Sequence, residues 1–184
     1  MNDANFKNAA LVLVDIQNDF CPGGALAVCD GDAIIPVVNC MVPKFPVVVA
    51  TQDWHPADHC SFKIWPPHCV QNTPGAELYP ALDTYRISYR LRKGDRREAD
   101  AYSGFDGTDL DAWLRQRKVT QLFVVGLATD YCVRATVLDG LKLGYEVYAI
   151  TDAMRAVDVK PGDGANALDE MAKAGAHLVT SAQL

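Results

Sequence analysis

Apolar residues in this chain fall in short, nearly unbroken runs separated by longer amphipathic stretches. Ala9-Ala-Leu-Val-Leu-Val14 predicts a first buried strand, ended by Asp15. The runs at 47–51, 121–125, 146–150 and 177–179 predict four more, and the weak alternation over 86–92 predicts a short sixth. Helical spacing lies between them. Ile34, Ile35, Val38 and Met41 share one face within 32–42, where Pro36 must sit near the helix start. Helices are also expected over 110–117, 131–143 and 164–174. Strands with no polar alternation are buried on both faces, and strands that alternate with helices pair in parallel. The expected fold is therefore α/β: a three-layer α/β/α arrangement around a central, mostly parallel sheet of about six strands. No repeat, linker or low-complexity tract interrupts it, so residues 1–184 are read as a single domain.

Composition narrows the function classes. The formal net charge is −6, which disfavours nucleic acid and anionic membranes as partners. The basic run around Arg86 to Arg97 is too short to reverse that. No stretch is long and apolar enough to span a bilayer and the start is polar, so a cytoplasmic location is expected. Of the six cysteines none forms a Cys-x-x-Cys pair, which argues against a thioredoxin-like motif or a zinc ribbon. With a core of this size they are read as reduced thiols.

Open parallel sheets bind ligands beyond the C-terminal ends of their strands. The polar residues that follow the strands are Asp15, Asp53, Lys93, Cys132 and Asp152, and the fold should gather them at one rim. Cys132 falls at a strand-to-helix turn, where a helix N-terminus favours the nucleophilic thiolate; the alternative is a small buried hydrophobe. Asp15 reads as a base, a metal ligand or a helix cap. Lys93, flanked by Arg90, Arg92, Arg96 and Arg97, reads locally as a solvated basic face. Residues 53–85 are rich in Pro, His, Asp and Gly without clean periodicity, and irregular segments of that length are usually functional. Asp53 and His55 stand two apart after a strand, and His59 and His68 follow. Two imidazoles and a carboxylate suit a divalent metal such as Zn, Fe or Mn. A structural zinc site using Cys60 and Cys69 competes, although these lack paired spacing. Gly162-Asp-Gly164 imitates a dinucleotide fingerprint but does not follow a strand directly, and is read as a chance match.

Taken in order, "LVLVDIQNDFCPGGALAV", "TQDWHPADHCSF", "WPPHCVQNTPGAEL", the "KG" at Lys93, "AYSGF" and "VVGLATDYCVRATVLDG" closely resemble the nicotinamidases of the isochorismatase-like cysteine hydrolase superfamily. The resemblance covers about Leu11 to Asp152. It implies a catalytic triad of Asp15, Lys93 and Cys132, and an oxyanion hole made by the backbone N–H groups of Ala128 and Cys132. It also implies a cis peptide before Ala128. The implied metal ligands are Asp53, His55 and His68, with His59 at the place of a further histidine ligand in some members, and zinc is the first guess for the ion. Phe20, Leu26, Trp65 and Tyr102 stand where such enzymes hold the substrate ring. The implied activity is hydrolysis of nicotinamide to nicotinate and ammonia, serving NAD salvage, with pyrazinamide also accepted. The protein is expected to act as a monomer or homo-oligomer. Sibling amide hydrolases are the first alternative; isochorismatases lack the cysteine, and the other branches generally lack the Asp-x-His ligands. A non-catalytic metal-binding domain on the same fold is the second.

Overall fold

The computed structural model describes residues 6–184. Strands β1 (Ala9–Val14), β2 (Val47–Asp53), β3 (Tyr89–Lys93), β4 (Gln121–Leu127), β5 (Glu146–Arg155) and β6 (His177–Val179) form one sheet in the order β3-β2-β1-β4-β5-β6. Every neighbouring pair is parallel. Helices α1 (Ile35–Met41), α2 (Leu110–Gln116), α3 (Arg134–Lys142) and α4 (Asp163–Lys173) cover it.

Side chains alternate across a strand, so β1 feeds two cores. Leu11 and Leu13 pack with Ile35, Val38 and Met41 of α1. Ala10, Val12 and Val14 pack with Leu110 and Leu114 of α2, Val137 of α3 and Met171 of α4. The expected three layers are present, and all six residues of β1 are buried, which accounts for the unbroken apolar run.

Four elements differ most from the expected boundaries. The first helix shrinks to α1 because Pro36 and Pro43 fit only the first turns of helical segments, and 3₁₀ turns at Gly31–Ile34 and Val42–Lys44 flank it. The short strand begins later, at Tyr89, and ends on Lys93 itself. The helix expected over 131–143 starts instead with a π-helical turn, Thr129–Val133, before α3. Finally, β5 continues past Ile150 to Arg155 because the β4–β5 register shifts between Val124 and Gly126 and pairing resumes at Gly126 with Met154. Gly126 has φ +120°, and a Cβ there would lie 2.0 Å from the Val14 carbonyl oxygen, so only glycine fits.

The chain builds β1, β2 and β3 to one side, then crosses to β4, β5 and β6 on the other. The loops leaving β1 and β4 therefore diverge, and a crevice opens at the C-terminal ends of the central strands.

Candidate active site

Four of the five strand-end residues do converge there. Asp15 leaves β1 with φ +48° and is completely buried. Its Oδ1 accepts the Thr51 hydroxyl at 2.6 Å, and its backbone N–H donates to Thr51 Oγ1 at 3.2 Å. Lys93, at the end of β3, is 1% exposed. Its ammonium donates to Asp53 Oδ1 at 2.5 Å, Ala101 O at 3.0 Å and Cys132 Sγ at 3.4 Å. Asp15 Oδ2 lies 2.9 Å from the same nitrogen but makes no directed hydrogen bond. The contact is thus an ion pair, and that oxygen keeps a free lone pair inside the cluster. One oxygen of Asp15, one of Asp53 and the thiol of Cys132 all lie within 4.8 Å of one another. Asp152 goes elsewhere: its carboxylate accepts from the Ser181 N–H and hydroxyl and fixes the C-terminal turn.

These surroundings set the proton affinities. Burial would drive Lys93 toward the neutral amine, but Asp15 and Asp53 overcome it and hold the ammonium well above its ordinary range. Burial likewise opposes ionisation of Asp53, yet Lys93 and then His55 carry its carboxyl well below the usual range. Asp15 moves the other way: burial and the nearby Asp53 raise it despite Lys93 and Thr51. Burial also raises the Cys132 thiol, and Lys93 only partly offsets burial, Asp15 and Asp53. The thiolate expected from a helix N-terminus is therefore not the resting form. Cys132 sits in the π turn ahead of α3, and burial in a carboxylate-rich pocket outweighs the single cation. A protonated thiol beside a carboxylate of raised proton affinity is a pair ready for proton transfer.

On the other wall, Asp53, His55 and His68 each offer one ligand atom within 4.8 Å of the others. His55 Nδ1 lies 2.8 Å from Gly94 O, and His68 Nδ1 lies 2.8 Å from Pro66 O. Both carbonyls can only accept, so each ring carries its proton on Nδ1 and presents Nε2 as a lone pair. His55 Nε2 stands 3.6 Å from Asp53 Oδ2, the oxygen that Lys93 leaves free. Two oriented imidazoles and one carboxylate oxygen are a donor set that fits a divalent cation. Gly94 makes room for the His55 ring: with φ +64°, a Cβ would lie 2.5 Å from His55 Cε1. His59 stands apart. It stacks on His55 at 4.1 Å, its Nδ1 accepts from the Ser61 N–H at 3.3 Å, and its Nε2 faces Ala99 O at 3.2 Å. Both of its ring nitrogens are already engaged, and it groups with His55 and Asp100 rather than with Asp53 and His68. Cys60 lies beside His59 and Cys69 is buried next to His68; neither joins a candidate ligand group among the described residues.

A cavity connects the two walls. Phe20, Leu26, Trp65 and Tyr102 line it, together with Ala128, Cys132, Asp53, His55 and His68. Tyr131, Val157 and Asp100 line it too, and the sequence reading missed all three. Tyr131 packs edge-on to Trp65 at 5.2 Å. Val157 is held by Asp130, whose carboxylate accepts the N–H groups of Val157 at 3.0 Å and Asp158 at 2.9 Å. Asp100 immediately precedes the Ala101–Tyr102 segment, and that position was its one visible signal. The Leu127–Ala128 peptide is cis, as the resemblance implied. Mostly apolar walls with a few convergent polar groups suit a small, flat, largely apolar ligand.

Residues 9–183 match the isochorismatase domain family. The chain belongs to that family. Among similar proteins, the nicotinamidase of Escherichia coli (strain K12) is 46% identical over 94% of this chain and 95% of its own length. The pyrazinamidase of Pyrococcus horikoshii in complex with zinc is 48% identical, with a TM-score of 0.89 over 94% of this chain and 99% of that one. The L. infantum protein PnC1 in complex with nicotinate is 38% identical, with a TM-score of 0.92 over 97% of this chain and 95% of that one. The membership read from the ordered motifs is thus borne out.

Proposed function

We infer that this protein is a nicotinamidase, an amidohydrolase that converts nicotinamide to nicotinate and ammonia and accepts pyrazinamide through the same pocket. The curated relatives and the ligands of the neighbouring structures support that activity. The observation that carries the mechanism is the reach of Lys93 to Cys132 Sγ and two carboxylates at once, in a buried cluster that opens onto the apolar cavity.

In this mechanism Asp15 takes the Cys132 proton through its free Oδ2 lone pair as the thiolate attacks the amide carbon. The N–H groups of Ala128 and Cys132 hold the developing oxyanion, and loss of one such donor typically costs about 3 kcal/mol. Asp15 then delivers the proton to the departing amine, ammonia leaves, and a thioester to Cys132 remains. Water, deprotonated by Asp15, hydrolyses it to the acid and restores the thiol. Lys93 keeps the acids and the thiol in one geometry and balances their charge. Phe20, Leu26, Trp65, Tyr102, Tyr131 and Val157 confine the ring, so that the carboxamide faces the thiol. Asp53, His55 and His68 would hold a divalent ion (zinc, iron or manganese), which supplies a Lewis-acid point for the ring nitrogen, directly or through water. The polar engagement of both His59 nitrogens supports a ligand set of three protein residues rather than four. On this reading the reaction belongs to NAD salvage in the cytoplasm.

Purified zinc-loaded protein given nicotinamide should release ammonia and nicotinate in equal amounts, and Cys132→Ala should reduce this to the blank. No ammonia from the folded wild type would contradict the assignment.

A further inference from the structure

The chain leaving β1 goes on acting as a neighbour of β2 after the strand has ended. Main-chain pairing of β1 with β2 runs from Ala10 with Val47 to Leu13 with Ala50, and the Asp15 N–H still reaches Thr51 O at 3.3 Å. The positive φ of Asp15 then turns the backbone away. Two residues later the Gln17 side chain occupies the place a strand would have filled. Its Oε1 accepts the Asp53 N–H at 2.8 Å, and its Nε2 donates to Asp53 O and to Ala76 O, each at 2.8 Å. One completely buried amide thus pairs with both main-chain groups of Asp53. Asp19 makes a parallel connection two residues further on. Its Oδ2 accepts the N–H of Cys69, the residue after His68, at 2.7 Å, and its Oδ1 accepts the Ala25 N–H at 3.2 Å.

Asp53 ends β2 and His68 sits on a loop that meets the chain beyond β2 only in a short bridge, His55 N–H to Cys69 O at 2.9 Å and Gln71 N–H to His55 O at 2.8 Å. The segment after β1 adds a second set of ties to both ligands, through alternate residues. We propose that Gln17 and Asp19 are positioning residues that hold Asp53 and His68 at cation-binding distance. The proposal rests on the metal reading above. The two residues differ in one consequence. Asp53 gives its other oxygen to Lys93, so Gln17 also sets the Lys93–Cys132 contact, whereas Asp19 does not. Asn18, between them, ties the same segment to Pro74 O at 2.7 Å and touches no ligand-bearing residue, which makes it the control for a merely structural role.

The test is a zinc titration of chelator-stripped protein against a chromophoric competitor. Gln17→Met and Asp19→Ala should each weaken zinc by about tenfold or more. Asn18→Ala should stay within about twofold of wild type, and Asp19→Asn, which keeps an oxygen for the Cys69 N–H, should recover part of the loss. In zinc-free protein Gln17→Met should also change the rate of Cys132 alkylation by iodoacetamide, and Asp19→Ala should not. Wild-type affinity in folded Gln17→Met or Asp19→Ala would overturn the proposal, as would an equal loss in Asn18→Ala. If Gln17→Met does not fold, the two Asp19 variants decide alone. A wild type that binds no zinc would contradict the metal reading itself; a binding wild type with unaltered variants would contradict only the positioning.

Discussion

Near the N-terminal ends of the central strands, Phe6, Phe45, Phe123 and Tyr148 close the sheet with rings 4.5 to 5.3 Å apart. At the C-terminal ends of β1, β2 and β3, a few residues away, stand Asp15, Asp53 and Lys93, each at most 5% exposed. The aromatic end stabilises the fold simply by leaving water, and many apolar side chains would do nearly as well. The ionic end is different. Dehydrating two carboxylates and an ammonium is costly, and their attraction offsets that only when the set is complete. Hydrophobic residues would build a firmer sheet there, so the charges call for a reason other than stability, which the proposed mechanism supplies.

Three substitutions would break or sharpen this contrast. Lys93→Met should have the largest effect. It leaves two buried carboxylates facing each other and should cost about 3–5 kcal/mol in denaturant melts, with loss of ammonia release even at temperatures where the variant is folded. Retained activity would remove Lys93 from the mechanism. Phe123→Ala comes next, at about 3–4 kcal/mol of stability with kcat/KM for nicotinamide unchanged well below the melting temperature. A parallel fall in kcat/KM would show that the two ends are not separable. Thr51→Val is the mildest, at about 1–2 kcal/mol, since it removes the hydroxyl that donates to the Asp15 carboxylate and accepts the Asp15 N–H. The hydrogen bond to the carboxylate lowers the Asp15 pKa, so its loss should raise it further. The proposed mechanism requires the ionised form, and the acidic limb of the kcat/KM–pH profile should therefore move to higher pH. An unmoved limb would argue that Asp15 is not the base.

The two ends also differed in how far the sequence revealed them. The β1 run and the β4 run are apolar on both faces, so their burial could be read directly, and with it the parallel sheet. Asp15, Asp53, Lys93 and Cys132 were legible because each ends or follows a strand in such a sheet. Thr51 and Gln17 were not. Their roles depend on which strands lie side by side and on where the chain turns at Asp15, and no local spacing records either. The arrangement of the histidines was equally hidden, because the carbonyls that orient His55, His68 and His59 come from Gly94, Pro66 and Ala99 in loops without periodicity. The extension of β5 depended on a register shift at Gly126 that only close contact with Val14 reveals.

The central claim is that Cys132 carries the acyl group, and rapid acid quench of the enzyme with nicotinamide, followed by intact-mass analysis, tests it most directly. A fraction of the wild-type chains should carry the mass of one nicotinoyl group, mapped to the peptide containing Cys132 and absent from Cys132→Ala. Ammonia release that persists in Cys132→Ala, with no acylated chain in either protein, would contradict it.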